Sequence, residues 1–115
     1  MKLHHRTKAL QARDAEVYRI NALSNTQRNK YTLVAAGYNK KTGHIAVGAK
    51  IAERGRRTYC VEDMVVKQLF ALGARLEDIV MTPAIRPRTM EIIPVCKICQ
   101  TKYSRSNFIP GTPFE

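Results

Sequence analysis

The chain places its three cysteines at two sites, Cys60-Val61-Glu62 and Cys96-Lys97-Ile98-Cys99, and no other feature restricts its fold so tightly. Three thiols cannot all pair, and a reducing compartment would keep them free for metal binding rather than for a disulfide framework. With a carboxylate two residues after the first, they form the donor set of a hydrolytic zinc centre. Such a centre has three protein ligands and leaves a fourth position to a water, whose pKa the metal lowers to about 7. A redox dithiol of Cys96 and Cys99 is the competing reading, and it leaves Cys60 and Glu62 without a role.

Both cysteine sites read as helix starts. After Cys60 the run Val61, Met64, Val65, Val66, Leu69, Phe70 and Leu72 is apolar nearly all round, which describes a helix buried in the middle of the domain. Gly73 is its stop. Cys96 and Cys99 open a further helix reaching to about Tyr103, and their i, i+3 spacing puts both on one face. The unpaired N–H groups and partial positive charge of a helix N-terminus favour thiolate over thiol even before a metal arrives. Glu62 lies inside the first turn, where it can face the pocket and act as a proton shuttle. Asp63, about 100° further round the helix, reads as a helix-start or structural hydrogen-bonding group.

The remaining segments supply a sheet. Residues 1–115 have no long Pro, Gly or Ser linker and make a single domain. Arg6 to Leu23 is an amphipathic helix with Leu10, Val17, Ile20 and Leu23 on one side, so residues 1–26 form an N-terminal helical arm, ended by Ser24-Asn25. Tyr31 to Tyr38 reads as a strand, Asn39-Lys40-Lys41-Thr42-Gly43 as a hairpin loop, and Ile45, Val47 and Ala49 alternate as a second strand. Ile51 to Tyr59 is a basic, Gly-containing loop. Ile79-Val80-Met81 is a short buried strand closed by Pro83; a helix separates it from the hairpin, so it enters as a crossover strand. Ala84 to Thr89 is a rigid basic loop, and Asn107-Phe108-Ile109 offers one short edge strand. The expected class is α/β: a mixed sheet of about four strands, a β-hairpin plus crossover strands, with helices on its faces.

Charge narrows the partners. The chain carries 20 Lys and Arg against 9 Asp and Glu, a net charge of +11, and 13 of those cations with only 3 of the acids lie in residues 1–59. A bland solvated surface is one reading; a polyanionic partner such as nucleic acid is the other, because each phosphate neutralised by Lys or Arg releases condensed counterions. No apolar run approaches the 18 or so residues of a membrane span, and no apolar signal-peptide core follows Met1. The expectation is a soluble chain that does not touch a membrane.

Cys-x-Glu followed by Pro-Cys-x-x-Cys is the zinc signature of nucleobase deaminases. This chain resembles the cytidine deaminase-like superfamily in Cys60-x-Glu62 and Cys96-x-x-Cys99 and in its helix, hairpin, helix, strand, helix order. One departure is that Val95 separates Pro94 from Cys96. Within the superfamily, Gly37-Tyr38-Asn39, Thr42-Gly43, Cys60-x-Glu62-Asp63, Ala84-Ile85-Arg86-Pro87-Arg88 and the Cys96 helix look most like the YwqJ-like deaminase domains of bacterial polymorphic toxins. The resemblance covers roughly residues 30–105. It implies a compact three-layer deaminase fold and zinc ligated by Cys60, Cys96 and Cys99, with Glu62 as the proton carrier. It also implies a toxin domain delivered into a target cell's cytoplasm, with a cognate immunity protein as partner.

Other residues carry weaker expectations. Asn39 matches the place where related enzymes set a polar residue against the substrate, and it is equally an ordinary turn residue. His44 is a candidate to line the pocket or to be half-exposed, Tyr59 to stack on a flipped base or simply to pack. Arg54, Arg56, Arg57, Arg86 and Arg88 flank the two motifs and are candidates for phosphate or flanking-base contacts. The leading expectation is a zinc-dependent deaminase converting cytosine to uracil in single-stranded DNA or RNA. The alternatives are a deaminase of free nucleosides or bases, and a non-catalytic zinc-stabilised nucleic-acid binder in which a His completes a closed four-ligand site.

Overall fold

Tyr31–Asn39 forms the central strand β1, and its run of small and β-branched residues allows it to be covered on both faces. A computed structural model describes residues 2–52 and 60–115. Before β1 come a long helix α1 (Lys2–Asn21) and a single turn α2 (Asn25–Arg28), which Ser24 caps through its side chain. After it come β2 (Ile45–Ile51), α3 (Val61–Ala71), β3 (Ile79–Met81), β4 (Ala84–Ile85), β5 (Ile92–Ile93) and α4 (Lys97–Lys102).

Side-chain parity sorts the layers. Val34, Ala36 and Tyr38 of β1, with Ile45, Val47 and Ala49 of β2, pack against Ala9, Val17 and Ile20 of α1. Ala35 and Ala46 point the other way, into a larger cluster with Val61, Val65, Val66 and Leu69 of α3 and with Cys99 of α4. The order is helix, sheet, helix. Gly37 allows the close approach on the second face, since a Cβ there would stand 2.7 Å from Val65 Cγ1.

Among the described residues the sheet has five strands in the order β2-β1-β4-β5, with β3 also on β1, where about four were expected. β2 and β3 both run antiparallel to β1, so α3 is the crossover that carries the chain past β1, as anticipated. Among the described residues the expected mixture of strand directions is confined to single bridges: every ladder is antiparallel, and only Met81 with Phe108 and Val95 with Phe114 pair in parallel. The expected edge strand at Asn107–Ile109 is thus reduced to one bridge following a 3-10 turn, Arg105–Asn107.

Several expectations are corrected. β3 ends at Met81, before Pro83, as expected, but the sheet edge resumes beyond the proline. Thr82 N–H donates to Ala36 O at 2.8 Å and Thr82 Oγ1 accepts from Ala36 N–H at 3.1 Å, so the threonine bridges the gap and β4 continues along β1 at Val34–Ile85. The stretch expected as a basic loop begins as β4 and turns over Arg86–Glu91 into β5, with Arg86 N–H on Glu91 O at 2.9 Å. α3 is not buried all round, since Phe70 and Leu72 are about half exposed, at 50% and 52%. A chain this short supplies only one helical layer per sheet face, so the outer side of α3 meets water. Gly73, at φ 87°, ends that helix as expected. Among the described residues no helix is long and apolar enough to cross a membrane.

Candidate metal centre

Two helix starts meet at one end of the sheet. Cys60 is the N-cap of α3 and Cys96 that of α4, both in extended backbone conformation, and Cys99 sits one turn inside α4. Although 36 positions separate them, the Cys60 and Cys96 sulfurs stand 3.4 Å apart. The Sγ atoms of Cys60, Cys96 and Cys99 all lie within 4.8 Å of one another. Sulfurs around a tetrahedral zinc with bonds of about 2.3 Å are separated by about 3.8 Å, so the donor set fits that ion.

Glu62 faces the same point. It is 6% exposed, and its Oε1 accepts from Cys99 Sγ at 3.8 Å. Burial pushes its carboxyl above the usual range, against the opposing pull of a backbone hydrogen bond, the Cys99 thiol and the charge of Lys50. Burial likewise raises the thiols of Cys60 and Cys99. At Cys96 burial also raises, but the Cys99 N–H and the neighbouring sulfurs outweigh it and the net direction is down.

Asp63 holds the two helices in register. Its Oδ2 accepts from Cys60 N–H at 3.2 Å and from Lys102 Nζ at 2.8 Å, and its Oδ1 accepts from Tyr103 OH. Helix-start stabilisation and structural hydrogen bonding, both expected of Asp63, are combined in one side chain. The C-terminal segment closes the site from another side: Val95 N–H donates to Pro113 O at 2.9 Å, Glu115 N–H to Val95 O at 3.0 Å, and Glu115 Oε1 accepts from Lys97 N–H at 3.2 Å.

Above the sulfurs lies an open cavity of about 440 Å³ including its mouth, lined by Leu33, Lys50, Cys60, Glu62, Pro94, Cys96 and Glu115 among others. No family model, curated protein or solved structure matches this chain.

The other residues singled out above are not drawn into the cavity. Asn39 and His44 belong to the hairpin at the opposite end of β1, about 20 Å along the strand from Leu33. There Asn39 Oδ1 accepts from Lys41 N–H at 2.9 Å, the turn role, and His44 Nδ1 pairs with Thr42 Oγ1 at 3.0 Å. Arg86 and Arg88 are exposed in the β4–β5 turn, two and four residues beyond Ala84, which lines the cavity, and do not line it themselves. Arg54, Arg56, Arg57 and Tyr59 lie outside the described residues. No histidine joins the cysteines: His5 packs against Tyr38 with ring centroids 5.9 Å apart, His4 stands 6.2 Å from His5, and His44 is in the hairpin.

Four contributors were not anticipated: Lys50, Tyr103, Lys102 and Glu115. Lys50 was legible, since the alternation that turns Ile45, Val47 and Ala49 towards α1 turns Lys50 towards α3. Tyr103 was half legible at i+4 from Cys99. Lys102 and Glu115 carry no local signal, because their partners are set by the docking of distant segments.

Proposed function

We propose that the chain is a zinc-dependent nucleobase deaminase acting on nucleic acid, converting cytosine to uracil in single-stranded DNA or RNA. The observation that carries this reading is the joining of Cys60, Cys96 and Cys99 with a buried carboxylate, Glu62, in an open cavity. The residues fit zinc as ligands and leave room beside them for water and a base. A closed site completed by a histidine would need one beside the sulfurs, and all three histidines lie elsewhere.

Bound zinc supplies Lewis acidity that makes water a nucleophile at neutral pH. The chain's own residues do the rest. Glu62 takes one proton from the water as its oxygen bonds to C4 and passes it to the ring nitrogen, then takes the remaining proton from that oxygen and gives it to the departing amine, so that ammonia leaves and a carbonyl remains. Lys50 and Glu115 rim the cavity and position the base edge. The basic surface of the first half of the chain favours a base attached to a phosphate backbone over a free one. The toxin role, delivery into a target cell and an immunity partner are supported by the resemblance to YwqJ-like domains.

The test is incubation of the zinc-loaded protein with a panel of DNA and RNA oligonucleotides, followed by sequencing for C-to-U and A-to-I changes. Conversion by the native chain, lost in Glu62→Ala with zinc still bound, is the expected result. Full activity of Glu62→Ala defeats the mechanism. Turnover of cytidine without change in any oligonucleotide moves the reading to a free-nucleoside enzyme.

A further inference from the structure

A second concavity lies away from the cysteines. It is an open groove of about 1000 Å³ including its mouth, bordered by Arg6 of α1, Lys40 at the end of β1, Arg105 of the 3-10 turn, and the segment from Phe108 to Phe114. Among the described residues that line it, none is acidic. Ordinary protein surfaces interleave charges of both signs, so three cations converging on one groove without a carboxylate create a positive field focused by low-dielectric walls.

None of the three cations is bound to a described carboxylate. Arg6 is the most telling, because its Nε is buried with no hydrogen-bond partner. A buried guanidinium N–H without an acceptor is costly unless something else supplies one. Arg105 is prepared in a different way. Its guanidinium carbon lies 4.3 Å from the centroid of Phe114, whose ring in turn meets Phe108 edge-on at 5.4 Å. Stacking fixes the guanidinium plane and leaves its N–H edge for a planar or tetrahedral oxyanion.

The groove also leads somewhere. Phe114 borders it, and the next residue, Glu115, lines the cavity above the cysteines. The Pro113 to Glu115 segment, paired to Val95, is thus the shared wall of groove and cavity.

We propose that this groove binds the phosphate backbone of a single-stranded nucleic acid through Arg6, Lys40 and Arg105, and leads the strand past Phe114 to the cysteine cavity. This rests on the nucleic-acid reading above and assigns it a binding track built from residues other than Arg86 and Arg88.

The test is fluorescence anisotropy with fluorescein-labelled oligomers of about 20 thymidine or uridine nucleotides, titrated over a salt series. These probes hold no cytosine, so binding is read without turnover. The triple variant R6Q/K40Q/R105Q is expected to bind about tenfold or more weakly at ~0.1 M salt. The slope of log affinity against log salt should fall by about 2, at about 0.7 for each phosphate no longer neutralised. A control of equal charge change on other surfaces, K30Q/K67Q/R75Q, should lose much less. If Arg105→Gln lowers the melting temperature by removing the Phe114 stack, R6Q/K40Q carries the test with a slope change of about 1.4. Binding of the triple variant equal to the native chain overturns the proposal, as does an equal loss in the control or no binding of either oligomer by the native chain. Weaker binding of only one oligomer assigns the track to DNA or to RNA. Oligonucleotide deamination with an unchanged triple variant rejects the groove and leaves the enzyme reading standing; salt-dependent groove binding without deamination does the reverse.

Discussion

Asp63 on α3 and Lys102 at the end of α4 meet at 2.8 Å across 39 positions of sequence. With the Tyr103 hydroxyl on its other oxygen and the Cys60 N–H on the same one, Asp63 ties the backbone of one cysteine-bearing helix to the far end of the other.

Asp63→Ala should therefore act on the metal and not only on the fold. It leaves the partly buried Tyr103 hydroxyl and the Cys60 N–H without an acceptor, at a cost of about 1–3 kcal/mol in denaturant unfolding. Zinc affinity should fall by about 10- to 100-fold, the usual effect of losing a partner that orients ligands. Tyr103→Phe, which removes one donor and leaves the carboxylate its other two, should cost about 1 kcal/mol. Competition with a chromogenic zinc chelator measures the first quantity; equal affinity in Asp63→Ala would show that the tie does not position the ligands.

Elemental analysis should find about one zinc per chain after purification in zinc-containing medium. Cys60→Ser, Cys96→Ser and Cys99→Ser should each lose most of it. Because a site of this kind does not survive unfolding, bound metal is folding free energy, and zinc at about 1,000 times its dissociation constant adds about 4 kcal/mol. Stripping it with a chelator should lower the melting temperature by about 10 °C or more. A chelated chain that melts with the untreated one would mean the cysteines hold nothing.

Gly37→Ala should be strongly destabilising although the position is in a strand and alanine is small. The new methyl would meet Val65 Cγ1 at 2.7 Å, Met81 Cγ at 3.1 Å and the Val80 carbonyl oxygen at 3.1 Å. Overpacking of that kind costs about 1–3 kcal/mol. Urea unfolding reads it, and a midpoint matching the native chain would mean α3 can retreat from β1 freely.

Thr82→Val keeps the volume and removes the hydroxyl that accepts from Ala36 N–H at 3.1 Å. A buried strand N–H is then unpaired, for about 1–3 kcal/mol. Thr82→Ser retains the hydroxyl and should recover part of that loss. Hydrogen exchange at Ala36, accelerated in the valine variant and restored in the serine one, distinguishes the missing bond from a packing defect.

Much of this architecture was readable in advance because it depends on periodicity and local chemistry. The hairpin, the helix after Cys60, its stop at Gly73 and the helix after Cys96 all follow from side-chain spacing and from residues with restricted backbone preferences. The β4–β5 hairpin was not readable. Pro83 removes a donor from the ladder, and the edge continues because Thr82, placed opposite Ala36, bonds it through both its N–H and its hydroxyl. Asn39 was drawn towards the site by motif analogy and His44 by its residue type, but a strand nine residues long puts both at the end remote from the cysteines.

The sequence by itself determined the donor set, the carboxylate beside it and the excess of positive charge, since these are matters of residue type and short spacing. Tertiary structure alone decided that Cys60 and Cys96 lie 3.4 Å apart, that Asp63 joins Lys102 and Tyr103, and that Glu115 borders the cavity. Each of these pairings joins segments far apart in sequence, and which partners meet depends on how whole helices and strands dock, so no local pattern encodes them.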